Sequence, residues 1–538
     1  MAVANENTRY LAEEGIEFSH TCTSACNHGD WDDALVAETG VTTNDADWAN
    51  DLNLDDYGGY GFSYRGKPIA DLDQVVEQID SGTSQQVNAG TITFTFLDQD
   101  GLTGLYNSPK YNFRAAEGLA EFTDAQKDAA REAVTFWDDI IAPTFVEKKG
   151  NGADIQFANS TDPGQAYAYY PEYGFTNARG FKFFGDIFVD DPQFNGSNGA
   201  LDYNGYGLTT LVHELGHAIG LSHPGSYNGP SATNYAGGAE YAQDSEQYSI
   251  MSYWAPSETG ARLVNWDLLL FGNAQTPMLH DVYVAQQKYG ADMTTRTGDT
   301  VYGFNSTAGR DVFDFDENHY PALTIWDAGG NDTLDFSGFG GGSVIDLRDG
   351  HFSSGGVAAP DAATVNANRM DYFEATGIFY GATTDASIAA TAASFQNANA
   401  NSIARDWGVT GIAALNYNNI SIAYGADIEN AIGTAFDDVI VTNELDNVLT
   451  GGDGADTFIF LSEANRLFEE FETGGDDVIT DFEVGVDRID LSNLGIDGNS
   501  RFAIDGNTFG IDVDGDGVID QSITFENLET VPFADIFA

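Results

Sequence analysis

The sequence predicts two successive structural classes, an α+β part followed by an all-β part built of short parallel turns. Three observations carry this. Helix-like and strand-like periodicities alternate up to about residue 290. Beyond about residue 295 that texture fades, and Gly, Asp and Asn punctuate short aliphatic runs. Within this second part, residues 433–459 form an internal repeat of period nine. The expected divisions are an extension over 1–60, a first domain over 61–275 and a second over 276–538, compatible with domains of roughly 150 residues each.

The elements follow in order. Residues 1 to about 60 are acidic, rich in Asn, Asp and Gly and weakly periodic, so a loosely ordered extension is expected, in the manner of a pro-segment. Over 70–81, Leu72, Val75, Val76 and Ile79 share one helical face. Thr91–Leu97 alternates as a strand. Residues 124–141 predict an amphipathic helix with Thr123 as N-cap and Pro143 beyond its end. Short strands are expected at Ala153–Phe157, Ala166–Tyr170 and Asp186–Val189. A helix centres on Leu211–Ile219, and another runs over 277–289 with Pro277 in its first turn. After 295, helix is expected only in the Ala-rich stretch 385–400.

The three units of the repeat begin at Gly433, Thr442 and Gly451. Their sixth positions are Asp438, Asn447 and Asp456, and their eighth are Ile440, Leu449 and Phe458. Only the third unit fits GGxGxDxUx in full. The aliphatic eighth position points inward, and one turn cannot bury that face alone, so turns must stack.

Acidic residues number 84 and basic ones 21, giving a formal charge of −63. Such a chain repels phosphates, which excludes nucleic acid as a default partner and disfavours an anionic membrane. So much Asp suits solubility in salty surroundings, and it equally suits carboxylate ligation of a hard cation such as calcium. The only cysteines are Cys22 and Cys26, so disulfides cannot staple the bulk of the fold. No apolar run approaches the ~20 residues of a membrane span. The N-terminus lacks a basic region followed by an apolar stretch, so a cleavable secretory signal is not expected there.

The most informative string is His213-Glu214-Leu215-Gly216-His217-Ala218-Ile219-Gly220-Leu221-Ser222-His223. On a helix, His213 and His217 project from one face and can share one ion. Glu214 stands beside them, placed to take a proton from an attacking water. Gly220 permits a left-handed turn that brings His223 in as third ligand. Three neutral imidazoles with an open fourth position make a catalytic zinc site. Two surface histidines on an ordinary helix would also satisfy a bare HExxH, but the eleven-residue form needs three His, a Glu and a Gly together. Downstream, Ser249-Ile250-Met251-Ser252-Tyr253-Trp254 reads as a Met-turn, with Met251 an apolar floor under the metal. The Tyr253 phenol can ligate zinc at rest or donate to an oxyanion; a buried structural Tyr is the alternative.

These two strings resemble the serralysins, secreted bacterial zinc endopeptidases of the metzincin clan. The resemblance continues through Thr276-Pro277-Met278-Leu279, Gln286–Gly290, Arg296–Asn305, Trp326–Thr333, Ile428–Gly433 and the nonapeptides, covering roughly 65–495. It implies an α+β metzincin catalytic domain followed by an all-β, calcium-binding parallel β-roll or sandwich domain. It implies one catalytic zinc on His213, His217 and His223, with Glu214 as general base and Tyr253 assisting. It also implies that Ala166–Tyr170 neighbours the edge strand that pairs with an extended peptide substrate.

Several structural calcium ions are expected in the second domain. One site maps by resemblance onto Arg296 (through its carbonyl), Gly298 and Thr300 with Asp327, Gly329, Gly330 and Asp332. Another maps onto Asp427 and Glu429, although the family usually has Thr where Asp427 stands. In the repeats, Asp438, Gly452, Gly454 and Asp456 supply the carboxylates and carbonyls that calcium requires. The first two units lack most of their glycines, so fewer ions are expected than in a longer roll. Asp512, Asp514 and Asp516 open a loop like that of an EF-hand, but Ile523 occupies position twelve, leaving either a hairpin that takes calcium or a plain Asp/Gly turn.

The sequence therefore leads to the expectation of a secreted, extracellular zinc endopeptidase acting on protein or peptide substrates, and a monomer. Asp535-Ile536-Phe537-Ala538 resembles the C-terminal tail by which this family leaves through type I secretion machinery. A calcium-binding adhesin carrying a dead protease domain is the rival, and the intact Glu214 and three His argue against it. Cys22 and Cys26 admit three roles: a zinc-silencing thiolate, a local disulfide or two idle thiols.

Overall fold

The computed structural model describes residues 53–87, 89–98, 118–150, 152–161, 164–171, 185–227, 234–461 and 474–536. Cys22, Cys26 and most of the expected N-terminal extension lie outside them, as does the end of the C-terminal tail. Residues 53–60, expected as loose, are folded: Leu54–Tyr57 make a 3-10 turn and Leu54 is buried.

The first part is a sheet flanked by helices. Helix α1 (Leu72–Ile79) starts at Asp71, whose carboxylate accepts from the Gln74 backbone N–H while Gln74 caps the Asp71 N–H in return. Next come β1 (Thr91–Phe96) and α2 (Asp124–Asp138), the latter opened by the same device between Thr123 and Gln126. Strands β2 (Thr144–Glu147), β3 (Ile155–Ser160), β4 (Ala166–Ala168) and β5 (Ile187–Asp190) complete a sheet of order β2-β1-β3-β5-β4. All neighbours are parallel except β4, which runs antiparallel to β5 and ends the sheet. Strands β3 and β5 are buried along their whole length, as strands covered on both faces are.

Helix α3 (Tyr206–Ala218) is buried from Gly207 to Ala218. It starts five residues before Leu211 because Gly207-Leu208-Thr209-Thr210 are buried without being periodic. Helix α4 (Leu279–Tyr289) begins after Pro277, not on it: the Asp281 carboxylate accepts from the Met278 N–H at 2.8 Å and sets the start there.

The second part alternates between two larger sheets, beside a three-stranded one of Leu323–Ile325, Ile420–Ile422 and Phe352–Ser353. Its strands are β6 (Val301–Gly303), β7 (Thr333–Asp335) and β8 (Val344–Asp346). Two helices intervene, α5 (Ala362–Thr376) and α6 (Asp385–Trp407). There follow β9 (Asn430–Ile432), β10 (Val439–Val441), β11 (Val448–Thr450), β12 (Thr457–Leu461), β13 (Asp476–Ile479) and β14 (Arg488–Asn493). A terminal hairpin region adds β15 (Arg501–Asp505), β16 (Thr508–Asp512) and β17 (Gln521–Phe525). One sheet has the order β6-β7-β9-β11-β13-β17-β16-β15 and the other β8-β10-β12-β14. Asn430 pairs with Val448 and Val439 with Thr457, both in parallel register, so two nonapeptides make one full winding. The eighth-position residues Ile440, Leu449 and Phe458 are completely buried between the sheets.

Helix α5 was not expected, and α6 runs past residue 400 to Trp407. Both are capped normally, by Asp361 and Thr384 at their starts and by left-handed Gly377 and Gly408 at their ends. Their buried faces hid the signal: α5 buries only Val365 and Thr376, and α6 mixes Asn399, Ser402 and Asp406 with Ile388, Phe395 and Ile403.

The two parts share one apolar core running from Ala70 through Val212 and Tyr302 to Phe525. The Asn53–Tyr57 segment straps them together. Asp55 accepts from Gln243 at 2.9 Å and from the Tyr424 hydroxyl at 2.6 Å, and pairs with His280 at 3.0 Å. Beside it, buried His351 faces Asp56 at 3.3 Å. Burial and Arg348 oppose protonation of His351, but Asp56 and Asp346 prevail and raise it to about 9. The folded chain thus holds a proton that the unfolded histidine releases near pH 6.5. Its contribution is complete below that pH and is lost as pH rises through about 9. We expect the melting temperature to fall from pH 6.5 to 9.5, and His351→Gln to flatten that slope in calorimetric scans.

Candidate active site

Helix α3 and the turn after it assemble three imidazoles. His213 and His217 lie one turn apart, and Gly220, with φ +98°, reverses the chain so that His223 returns to them. A side chain at Gly220 would meet the Thr83 carbonyl at 2.1 Å, so only glycine fits. The His223 Nε2 lies 2.9 Å from that of His217 and 3.3 Å from that of His213. Nitrogens bound to one tetrahedral zinc stand about 3.3 Å apart, so this donor set fits the ion. The Nδ1 atoms of His213 and His217 face the carbonyls of Ile250 and Leu221, each at 2.7 Å, which turns both Nε2 atoms toward the common point. Burial lowers His213 to about 4 and His217 to about 3, so both are neutral ligands at pH 7.

Glu214 is buried, and neither carboxylate oxygen has a hydrogen-bond partner among the described residues. Burial alone raises its pKa well above the ordinary carboxylate value. Met251 is fully buried beneath α3, where a side chain at Gly216 would meet its sulfur at 2.4 Å. The Tyr253 hydroxyl lies 2.6 Å from His223 Nε2, so it reaches the same point as the imidazoles. From the sheet, Tyr170 sets its ring edge-on to His217 at 5.5 Å between centroids.

Sequence reading missed two buried carboxylates behind this centre. Asp281 of α4 accepts from the Ile250 N–H at 2.6 Å and the Ser249 hydroxyl at 2.7 Å, fixing the turn whose carbonyl orients His213. Burial raises its carboxyl to about 6. Asp244 accepts from Tyr227 at 2.6 Å, Ser252 at 2.7 Å and the Trp254 indole at 3.2 Å, holding both neighbours of Tyr253. For Asp281 a signal existed, an acidic residue at the third helical position after Pro277. Asp244 has no local motif.

The acidic residues of the second part gather in three places. In the first, the Thr300 N–H donates to Asp332 at 2.7 Å, the Asp332 N–H donates to Glu429 at 2.6 Å, and Gly330 abuts both Asp332 and the Gly298 carbonyl. Asp327 accepts from Gly329 and Tyr302. The Arg296 guanidinium turns away to Asp139 at 2.7 Å. Glu429 therefore joins this group, whereas Asp427 lies under the charge of Asp349. One oxygen of Asp332 is buried without a hydrogen-bond partner among the described residues.

In the second place, successive windings stack their carboxylates. The Asp438 N–H donates to Asp456, and the Asp456 N–H to Asp487. Gly452 and Gly454 have φ +101° and +138° and lie against the backbone of Thr434 and Phe436. Burial, and for Asp456 the charge of Asp438, raises Asp438 to about 7 and Asp456 to about 8. Asp456 keeps one buried oxygen without a partner among the described residues. Asp477, which accepts from the Asn447 N–H, and Asp487 were not identified from sequence. Their Asp-x-aliphatic pattern resumes out of phase after residues 462–473. In the third place, Asp512, Asp514 and Asp520 bring carboxylate oxygens within 4.8 Å of one another; Asp516 is not in that group.

The Gly220 geometry makes a prediction. Gly220→Ala should lower stability by at least about 2 kcal/mol, from the positive φ and the Thr83 clash. It should also lower bound zinc per chain, because the His223 return is displaced. Denaturant titration and metal analysis of the purified variant read both.

No helix among the described residues is long and apolar enough to cross a membrane. The family model described as "Peptidase M10 serralysin C terminal" matches residues 291–368 and 394–514, leaving 369–393, the end of α5 and start of α6, outside the match. The chain is 32% identical over 446 residues to Serralysin of Proteus mirabilis, covering 75% of this chain and 74% of that protein. It is 32% identical to Serralysin G of Dickeya chrysanthemi, covering 81% of each. It is 30% identical to Metallopeptidase AprA of Pseudomonas marginalis, covering 86% of this chain and 87% of that protein. A protein this similar to serralysins along most of both lengths belongs to the serralysin family of zinc metalloendopeptidases.

Proposed function

We propose that this chain cleaves internal peptide bonds of extracellular proteins with His213, His217 and His223 holding the zinc and Glu214 acting as general base. The observation that carries this reading is a buried glutamate with two unpartnered oxygens beside three converging imidazole nitrogens. The zinc, when bound, supplies the Lewis acidity that activates water and polarises the scissile carbonyl. Glu214 takes the proton of the attacking water and passes it to the leaving amine. The Tyr253 hydroxyl donates to the developing oxyanion. The edge strand β4 aligns the substrate backbone as an added strand.

The same proposal divides the chain into an extension over 1–60, a metzincin catalytic domain over 61–275 and a calcium-binding β-roll domain over 276–538. Calcium ligation is supported by the unpartnered oxygens of Asp332 and Asp456 and by the stacked carboxylates at the turns. We assign the ions to Arg296, Gly298, Thr300, Asp327, Gly329, Gly330, Asp332 and Glu429, and to Asp438, Gly452, Gly454 and Asp456. Asp512, Asp514 and Asp520 complete the assignment, Asp520 taking the place expected for Asp516, and Asp427 drops out of it. The protein acts as a monomer outside the cell, exported by type I secretion machinery.

Two tests follow. Glu214→Ala should retain zinc yet lose at least about a hundredfold in caseinolytic rate, the scale of general-base catalysis. His217→Ala should lose the metal itself. Near-normal turnover by Glu214→Ala would remove the mechanism. Separately, a chelator selective for calcium over zinc should lower the melting temperature and remove β-structure, because ion binding is folding energy here. Sodium chloride should restore only part of it, since screening supplies no ligands. Full recovery in sodium chloride, read by circular dichroism, would reduce calcium to a counterion.

A further inference from the structure

The two most exposed large apolar side chains among the described residues are Phe194, at 72%, and Phe379, at 67%. They stand on either side of one junction. Phe194 precedes the short turn Gly196–Gly199, and Phe379 follows Ile378 just beyond the end of α5. At that junction the backbones touch. A side chain at Gly196 would meet the Thr376 carbonyl at 1.8 Å, and one at Gly199 would meet that of Ala375 at 2.8 Å. Only glycines allow α5 to end against this turn. Phe373 adds an edge-to-face contact to Phe379 at 5.8 Å, so the aromatic surface continues up the helix.

The turn is bolted to the active-site sheet. The Asn195 amide donates to the Gly164 carbonyl at 3.0 Å and to Gln165 at 2.6 Å. The Asn198 amide donates to the carbonyls of Asp190 and Gln165 at 2.8 and 3.2 Å. Asn195 and Asn198 are buried, and Gln165 directly precedes β4. The aromatic surface is therefore a fixed continuation of the edge strand, reached past its Ala166 end. A substrate antiparallel to β4 runs toward that end on the C-terminal side of the cleaved bond. At ~3.3 Å per residue it clears the three residues of β4 and continues toward the junction.

We propose that Phe194 and Phe379, with the end of α5, form a distal subsite that binds a large apolar side chain of the polypeptide substrate, on the C-terminal side of the scissile bond. The Phe379 half of this surface falls within residues 369–393, outside the family-model match. The inference rests on the reading of β4 as the substrate-pairing edge.

The test uses quenched fluorescent peptides sharing one cleavable core, with and without a C-terminal extension in which Phe or Ser is walked position by position. The wild-type protein should favour Phe over Ser by about tenfold in kcat/KM at one or two positions of the extension, the low end of apolar discrimination. The double variant Phe194→Ser, Phe379→Ser should lose that preference while cleaving the core peptide as the wild type does. An unchanged preference in the variant would overturn the subsite. So would a loss of equal size on the core peptide, which reports damage to the catalytic centre. A concentration-dependent dimer that the variant abolishes, seen in sedimentation, would assign the aromatics to self-association instead. Failure of the wild type to cleave any of these peptides or casein would instead defeat the endopeptidase reading beneath the proposal.

Discussion

The Asp281 carboxylate is the contact through which the rest of the site is held. It sits on α4 and accepts from Met278, Ser249 and Ile250 in a fully buried setting. Those bonds fix the turn carrying Met251. The Ile250 carbonyl then faces His213 Nδ1 and turns its Nε2 toward the other imidazoles. A buried carboxylate without such donors would cost several kcal/mol, so the turn and the helix can only be built together. The geometry of a metal site thus depends on a residue that touches no metal-binding atom.

A second constraint governs the β-rich part. Each winding exposes an apolar edge that only the next winding covers, so Ile440, Leu449 and Phe458 are buried by stacking and not by any helix laid over them. Stacking also superimposes the corners, and the corners carry aspartates. Asp438, Asp456 and Asp487 end up linked backbone to carboxylate, in a protein whose formal charge is −63. The burial that stabilises the sheets thereby raises the proton affinity of these groups.

The two parts do not act as independent bodies. Their apolar cores are continuous, and the Asn53–Tyr57 strap reaches Gln243, His280 and Tyr424 through one aspartate. The α5 end, in the second part, rests on the Gly196–Gly199 turn of the first. The β-rich part and helix α3 are joined through packed contacts in that shared core.

The sequence by itself determined whatever depends on local spacing. The His213-to-His223 string specified a helix, a glycine reversal and three converging ligands, because a helical turn and a left-handed residue leave little other geometry. The period of nine specified stacked windings, because an inward aliphatic side chain recurs once per strand. The capped helices at Thr123 and in α1 were legible for the same reason. Tertiary structure alone decided the contacts between distant segments. Asp244 and Asp281 carry no local signature, since their partners lie elsewhere in the chain. Asp477 and Asp487 fell out of register with the repeat after an intervening segment. Helix α5 stayed hidden because it buries so little of itself, and α6 was cut short because polar residues occupy its buried face. The strap at Asn53–Tyr57 looked like the acidic chain before it until Leu54 and Asp55 found partners from two domains. Periodicity reports which face of an element is apolar, and it is silent about which polar group will be waiting on the other side.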